Sequence, residues 1–230
     1  MKAAFEAVEA GYADHGQRLQ KPVSAEIVSI PIMGASKSLK DRHTMFVSVQ
    51  AVESGMLDGL IAHEVGHMLR TEAGHPSHDP EVYEIISREV RIPRAAEAAF
   101  GQAFNHIQDI YADDLAFLVF SNDGDGDRRA YRFFASWIDG NAQGRGKNRW
   151  KNVGLAVSNG FAIGNLVRHA LVDPGDALWD RARAFDHEAG FAAVDVFSEF
   201  FSNLPHEPSP TTFVGQVRAL ADLMTKAALT

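Results

Sequence analysis

The chain has 230 residues, 46% of them hydrophobic and 23% charged, which excludes disorder and allows a sizeable core without metals or disulfides. Its 22 Lys+Arg against 30 Asp+Glu give a net charge of -8, so a basic footprint for nucleic acid or anionic lipid is excluded. The absence of cysteine removes thiol nucleophiles, thiolate zinc sites, iron–sulfur clusters and disulfides, which leaves His, Asp and Glu as the available metal ligands.

Phe5, Val8 and Tyr12 recur at helical spacing and predict an amphipathic helix near residues 3–19. Glu6, Glu9 and Asp14 interrupt the apolar stretch that a signal peptide would need. Residues 25–30 and 44–49 are rich in β-branched side chains and predict two paired, antiparallel strands, with the polar stretch 34–42 as the loop between them. Ser54 is placed to cap a helix in which Leu57, Leu60, Ile61 and Met68 share one side up to Thr71, before Gly74, Pro76 and Pro80 break the pattern. Residues 81–92, 94–120, 128–138, 151–171, 176–202 and 211–228 carry helical periodicity. The longest strongly apolar run, 115–120, falls far short of the roughly 20 residues of a membrane-spanning helix. The expectation is a cytoplasmic, mainly α-helical α+β protein with a small antiparallel sheet. It forms a single domain over 1–230, with the sheet and first long helix in 1–79 and a helical part in 80–230.

The chemistry concentrates in His63-Glu64-Val65-Gly66-His67, an HExxH pentapeptide inside the predicted 54–71 helix. Random shuffling of this composition yields such a pentapeptide roughly 0.02 times per chain, so accident is disfavoured. Residues i and i+4 lie one turn apart on one helical face, which lets both imidazoles meet one Zn²⁺ at about 2.0–2.1 Å with Glu64 beside a metal-activated water as general base. That is the arrangement for metal-assisted peptide hydrolysis, Glu64 taking the water's proton and delivering one to the leaving amine.

A catalytic zinc needs a third protein ligand. Arg70 and Ala73 stand where the metzincin extension requires Gly and His, so that clan is excluded. Asn105, Asp109 and Asp113 fall at successive i+4 positions on a second helix whose other face, Phe104, Ile107, Tyr111, Leu115 and Leu118, reads as core. Asp109 is the expected third ligand, with Asp113 and Asn105 behind the ligands as hydrogen-bond partners.

HExxH followed by a helix bearing Asp109-x-x-Ala112-Asp113 resembles the gluzincin side of the zincin metallopeptidases. It is similar to the Glu-x-x-Ala-Asp segment of the prenyl-protease-type membrane peptidases, with Asp in place of Glu and without membrane spans. The stretch His63 to His78 also resembles uncharacterised archaeal metallopeptidases. The resemblance covers residues 44–115 and implies a zincin-like fold, one Zn²⁺ per chain and a peptide or protein substrate. By analogy with zincins, residues 44–50 stand where an edge strand would pair with an extended peptide; a buried strand is the equal alternative.

His75 and His78, in the loop after the HExxH helix, are open to three readings: ligand, substrate or oxyanion contact, and solvated loop. Tyr111, Tyr83, His106, Arg168 and His169 are further oxyanion candidates among which the sequence does not choose. Asp123, Asp125 and Asp127 match EF-hand positions 1, 3 and 5, but Arg128 and Phe134 stand where Gly and Glu are required, so a turn is expected there. The Gly144-Arg-Gly-Lys147 stretch lacks Walker spacing and reads as a surface turn. The alternative to a peptidase is a binding or regulatory protein on a zincin scaffold that turns over no substrate.

Overall fold

The computed structural model describes residues 1–30, 32–120 and 124–229. Helix α1 covers Lys2–Asp14, β1 Val23–Val28, β2 Gly34–Ser38, β3 His43–Ser48, α2 Val49–Glu53 and α3 Leu57–Glu72. They are followed by α4 Pro80–Glu89, α5 Glu97–Phe120, α6 Gly124–Gly144, α7 Arg149–Arg168, α8 Ala177–Ala189, α9 Val194–Ser202 and α10 Pro210–Leu229, with 3₁₀ turns at Pro76–His78 and Arg94–Ala96. The protein is mainly helical α+β, and no helix among the described residues is long and apolar enough to cross a membrane.

The chain divides into two compact units, residues 1–79 with 111–130 and residues 80–110 with 131–230. Residues 111–130 belong with the first unit although they lie far along the chain from residue 79. The boundary therefore runs through α5 and α6, because a continuous helix can bury one stretch in each unit.

In the first unit the sheet order is β1-β3-β2. The strands expected to pair antiparallel, β1 and β3, are parallel, with Ala25 opposite Met45 and Ile27 opposite Val47. The reason lies in the stretch taken as loop: Gly34–Ser38 extends and pairs antiparallel with β3, with Ser36 opposite Met45. A tight turn in which Leu39 N–H donates to Arg42 O at 2.8 Å then reverses the chain a second time, and two reversals restore the first direction. β3 is thus the central strand, with Met45 and Val47 fully buried, and both its edges are used within the sheet. It cannot pair with a substrate strand, and the edges left for such pairing are those of β1 and β2.

Met45 and Val47 join Val8, Tyr12, Ile61, Val65, Met68, Leu69, Leu115 and Ala116 in one apolar core. α1 stops at Asp14, short of the expected 19, where Gln17 N–H returns to Tyr12 O at 2.9 Å. Ser54 does not cap α3; it closes α2, and its Oγ accepts from Met56 N–H at 3.1 Å.

The second unit is built around α7, whose residues 152–154 and 156–166 are all buried. Phe161, Phe185, Phe197, Phe201 and Phe213 fill its interior. The segment expected to run as helix from 176 to 202 is broken at Gly190, whose φ of 79° is a left-handed conformation that ends α8. Asp186 then caps the new start, accepting the Val194 amide at 2.6 Å and the Ala193 amide beside it.

Candidate metal centre

α3 is locked before any chemistry is considered. The Tyr12 hydroxyl donates to Ala62 O at 2.7 Å, one residue before the HExxH segment. Burial, reinforced by the Asp113 carboxylate and opposed by Arg70, holds that hydroxyl well above its ordinary range, so it stays a proton donor. Arg70 Nε donates to Tyr111 O at 2.9 Å. Between them, a β-carbon at Gly66 would lie 2.5 Å from Ala112 O, an impossible contact with backbone. Only glycine permits α5 to approach α3 this closely at the motif.

That approach sets the polar geometry. His63 Nδ1–H donates to Asp113 Oδ1 at 2.7 Å, so its Nε2 is the atom that carries the ring's lone pair. His63 Nε2 and His67 Nε2 face each other at 3.0 Å. Two nitrogens on one tetrahedral zinc at 2.0–2.1 Å are roughly 3.3 Å apart, so the pair needs only a slight opening to match that bite. Asp109 lies one turn before Asp113 on the same continuous helix, and His63, His67 and Asp109 each offer a ligand atom within 4.8 Å of the others. Among the described residues this is the one group with metal-holding geometry. All three are half-buried, as a site open to substrate requires.

Each candidate ligand is also braced from behind. Asp113 holds His63, His106 Nδ1–H donates to Asp109 Oδ2 at 3.3 Å, and His78 Nε2 lies 2.6 Å from His67 Nδ1. His106 is itself fixed by stacking on Phe161, with centroids 4.4 Å apart and planes 9° from parallel. Such outer contacts set ligand tautomer and direction. Glu64 is 4% exposed, and no hydrogen bond or ion pair engages it among the described residues. Glu64 follows His63 directly in the chain, and a buried carboxylate without a protein partner keeps its hydrogen-bonding capacity for a ligand.

The remaining candidates sort by position. Asn105 is exposed at the outer end of its stripe and makes no hydrogen bond among the described residues. His78 stands behind His67, and His75, 4% exposed, is joined to it through Ser77. Tyr111 is fully buried, its ring 4.6 Å from that of His75. Tyr83 is exposed and packs edge-on against Phe104. Arg168 donates to Ser202 O and Leu204 O at the end of α9, and His169 ends α7. In the stretch weighed as a calcium loop, Asn122 and Asp123 lie outside the described residues. Asp125 and Asp127 belong to the first turn of α6, where Asp125 pairs with Arg128 and Arg129.

Sequence reasoning did not single out Gly66, Ser77 or the contact of His106 with Asp109. Gly66 occupies a position the motif leaves free. Asp109 and His106 were readable as an i,i+3 pair on one helix. The Ser77 contacts depend on a 3₁₀ turn with no periodic signature.

A family model described as a family of unknown function, DUF5781, matches residues 9–228. No curated protein and no solved structure matches the chain.

Proposed function

From the premise that the chain belongs to the DUF5781 family, which carries no assigned function, we propose from the site itself that the protein is a zinc-dependent peptidase. The observation that carries the reading is the His63–His67–Asp109 group beside a buried, unpartnered Glu64. Two imidazoles and a carboxylate form a ligand set of the kind found at catalytic zinc, with one position left for water. A zinc ion held there supplies Lewis acidity, polarising the scissile carbonyl and lowering the pKa of water to about 7.

The protein's own groups do the rest. His63, with its Nδ1–H committed to Asp113, presents only Nε2 to the site. Asp109, held at Oδ2 by His106, would supply the carboxylate of the set. Glu64 accepts a proton from the attacking water and returns it to the leaving amine. The choice of a peptide as substrate rests on the resemblance of the motif pair to zincins.

The test is zinc content per chain together with hydrolysis of a mixed peptide library by the wild type, Glu64→Gln and Asp109→Ala. One zinc per chain in the wild type and in Glu64→Gln, with hydrolysis lowered on the order of 10²–10⁴-fold in the latter, is the expected result. Asp109→Ala should lose most of its metal. A wild type that takes up no zinc, or a Glu64→Gln variant as active as the wild type, overturns the reading.

A further inference from the structure

The two candidate histidine ligands are held by different means. His63 leans on a carboxylate, whereas His67 leans on His78, itself joined through Ser77 to His75 at the Pro76–His78 turn. That turn is anchored to the end of α3 by His75 N–H donating to Arg70 O at 2.9 Å.

The Ser77 amide gives this hydrogen-bonded chain a direction that leaves both ligand Nε2 lone pairs turned toward the metal site. The Ser77 backbone N–H lies 3.2 Å from His75 Nδ1, and since an amide only donates, that nitrogen must be a bare acceptor. The Ser77 hydroxyl, 2.7 Å from the same nitrogen, can then point its proton there and turn its lone pairs toward His78 Nδ1, also at 2.7 Å. His78 therefore carries its proton on Nδ1, which leaves Nε2 as an acceptor 2.6 Å from His67 Nδ1. His67 must then hold its proton on Nδ1 and expose the Nε2 lone pair, which faces His63 Nε2 at 3.0 Å. From His75 to His67 every link then has one donor and one acceptor, with its far end set by a backbone amide, and the two Nε2 lone pairs left facing each other are the contact that a shared metal ion would resolve. Ser77 and His75 are 3% and 4% exposed, so water does not compete for these links.

We propose that His78, oriented by Ser77 and His75, is a positioning residue that fixes His67 in the tautomer presenting Nε2 to the metal. The inference rests on the zinc-site reading above. His78 serves as the outer partner of His67 that Asp113 is for His63.

The experiment measures zinc affinity by competition with a chromophoric chelator, together with the visible absorption of the Co²⁺-substituted protein. It uses full-length wild type, His67→Ala, His78→Leu, His78→Gln, Ser77→Ala and Ser77→Thr. His78→Leu should weaken zinc binding about 10–100-fold and alter the cobalt spectrum, and His78→Gln, which restores an acceptor, should recover most of both. Ser77→Ala should weaken binding several-fold and Ser77→Thr should restore it, an arm that stands even if His78→Leu does not fold. Wild-type affinity in both His78→Leu and Ser77→Ala, or a His78→Gln no better than His78→Leu, overturns the proposal. Metal loss in both His78 variants as complete as in His67→Ala overturns it too, by making His78 a ligand. A wild type that binds no zinc fails at the earlier step and removes the site itself. Uptake by the wild type but not by His67→Ala preserves the site and leaves the His78 and Ser77 arms to decide.

Discussion

Each unit contains a carboxylate that accepts two backbone amides, half-buried at Glu72 and buried at Asp186, and the two are tuned in opposite directions. In the first, Glu72 accepts from Gln20 N–H at 2.7 Å and Lys21 N–H at 2.9 Å, and His43 Nε2–H donates to it at 2.9 Å. Burial pushes Glu72 up, but the Gln20 amide, His43 and the Lys21 amide together hold it below its ordinary 4.5. In the second, Asp186 accepts the Ala193 and Val194 amides through a single oxygen, and its Oδ1 is buried without a hydrogen bond. There burial dominates and raises the carboxyl above its ordinary 3.8 despite the two amides. Two backbone bonds are thus not enough to make a buried carboxylate comfortable. What decides is whether the second oxygen and the charge are also answered.

The contrast has measurable consequences. Glu72→Ala should destabilise most, by about 2 kcal/mol in urea unfolding, because it leaves the fully buried His43 without its acceptor and returns the Gln20 and Lys21 amides to water. Asp186→Ala should cost about 1 kcal/mol, a helix cap lost but a poorly solvated charge removed with it. If the second loss exceeds the first, the ranking of the two sites is wrong.

The smallest effect is in pH dependence, where the signs are opposite. Glu72 has a lowered folded pKa, so its stabilisation is present above 4.5 and is lost as pH falls through the folded value. Asp186 has a raised folded pKa, so its contribution is present below 3.8 and is lost as pH rises through the folded value. Relative to Glu72→Gln, the wild type should weaken on acidification below about 4.5; relative to Asp186→Asn, it should weaken as pH rises above about 3.8. Unfolding midpoints across a pH series give both differences, and like signs would contradict the tuning described.

Neither carboxylate was legible in the sequence as anything but a charged surface residue, because the amides that satisfy Glu72 lie some fifty positions away. What could be read was whatever repeats along a helix: the i+4 spacing of His63 and His67, the Asp109–Asp113 stripe, and the buried face of Phe104, Ile107, Tyr111 and Leu115. Leu118, put on that face by the same spacing, is 39% exposed, since the period gives direction without saying where the packing partner ends. β2 was missed because Gly-Ala-Ser-Lys-Ser has little intrinsic strand preference and is extended by its pairing with β3. The parallel pairing of β1 with β3 was lost with it. Asn105 shared the stripe's spacing, yet it sits at the exposed end of a helix whose burial increases toward Asp113.

Position 66 is the second free letter of the His-Glu-x-x-His pattern, yet the Ala112 carbonyl 2.5 Å from where its β-carbon would stand admits hydrogen alone. That restriction comes from the spacing of two helices and is indifferent to turnover. A descendant of this chain that abandoned Glu64 and its chemistry would still be held to glycine there. His-Glu-x-Gly-His is therefore two signatures superimposed, one of a reaction and one of an architecture, and they can be lost independently.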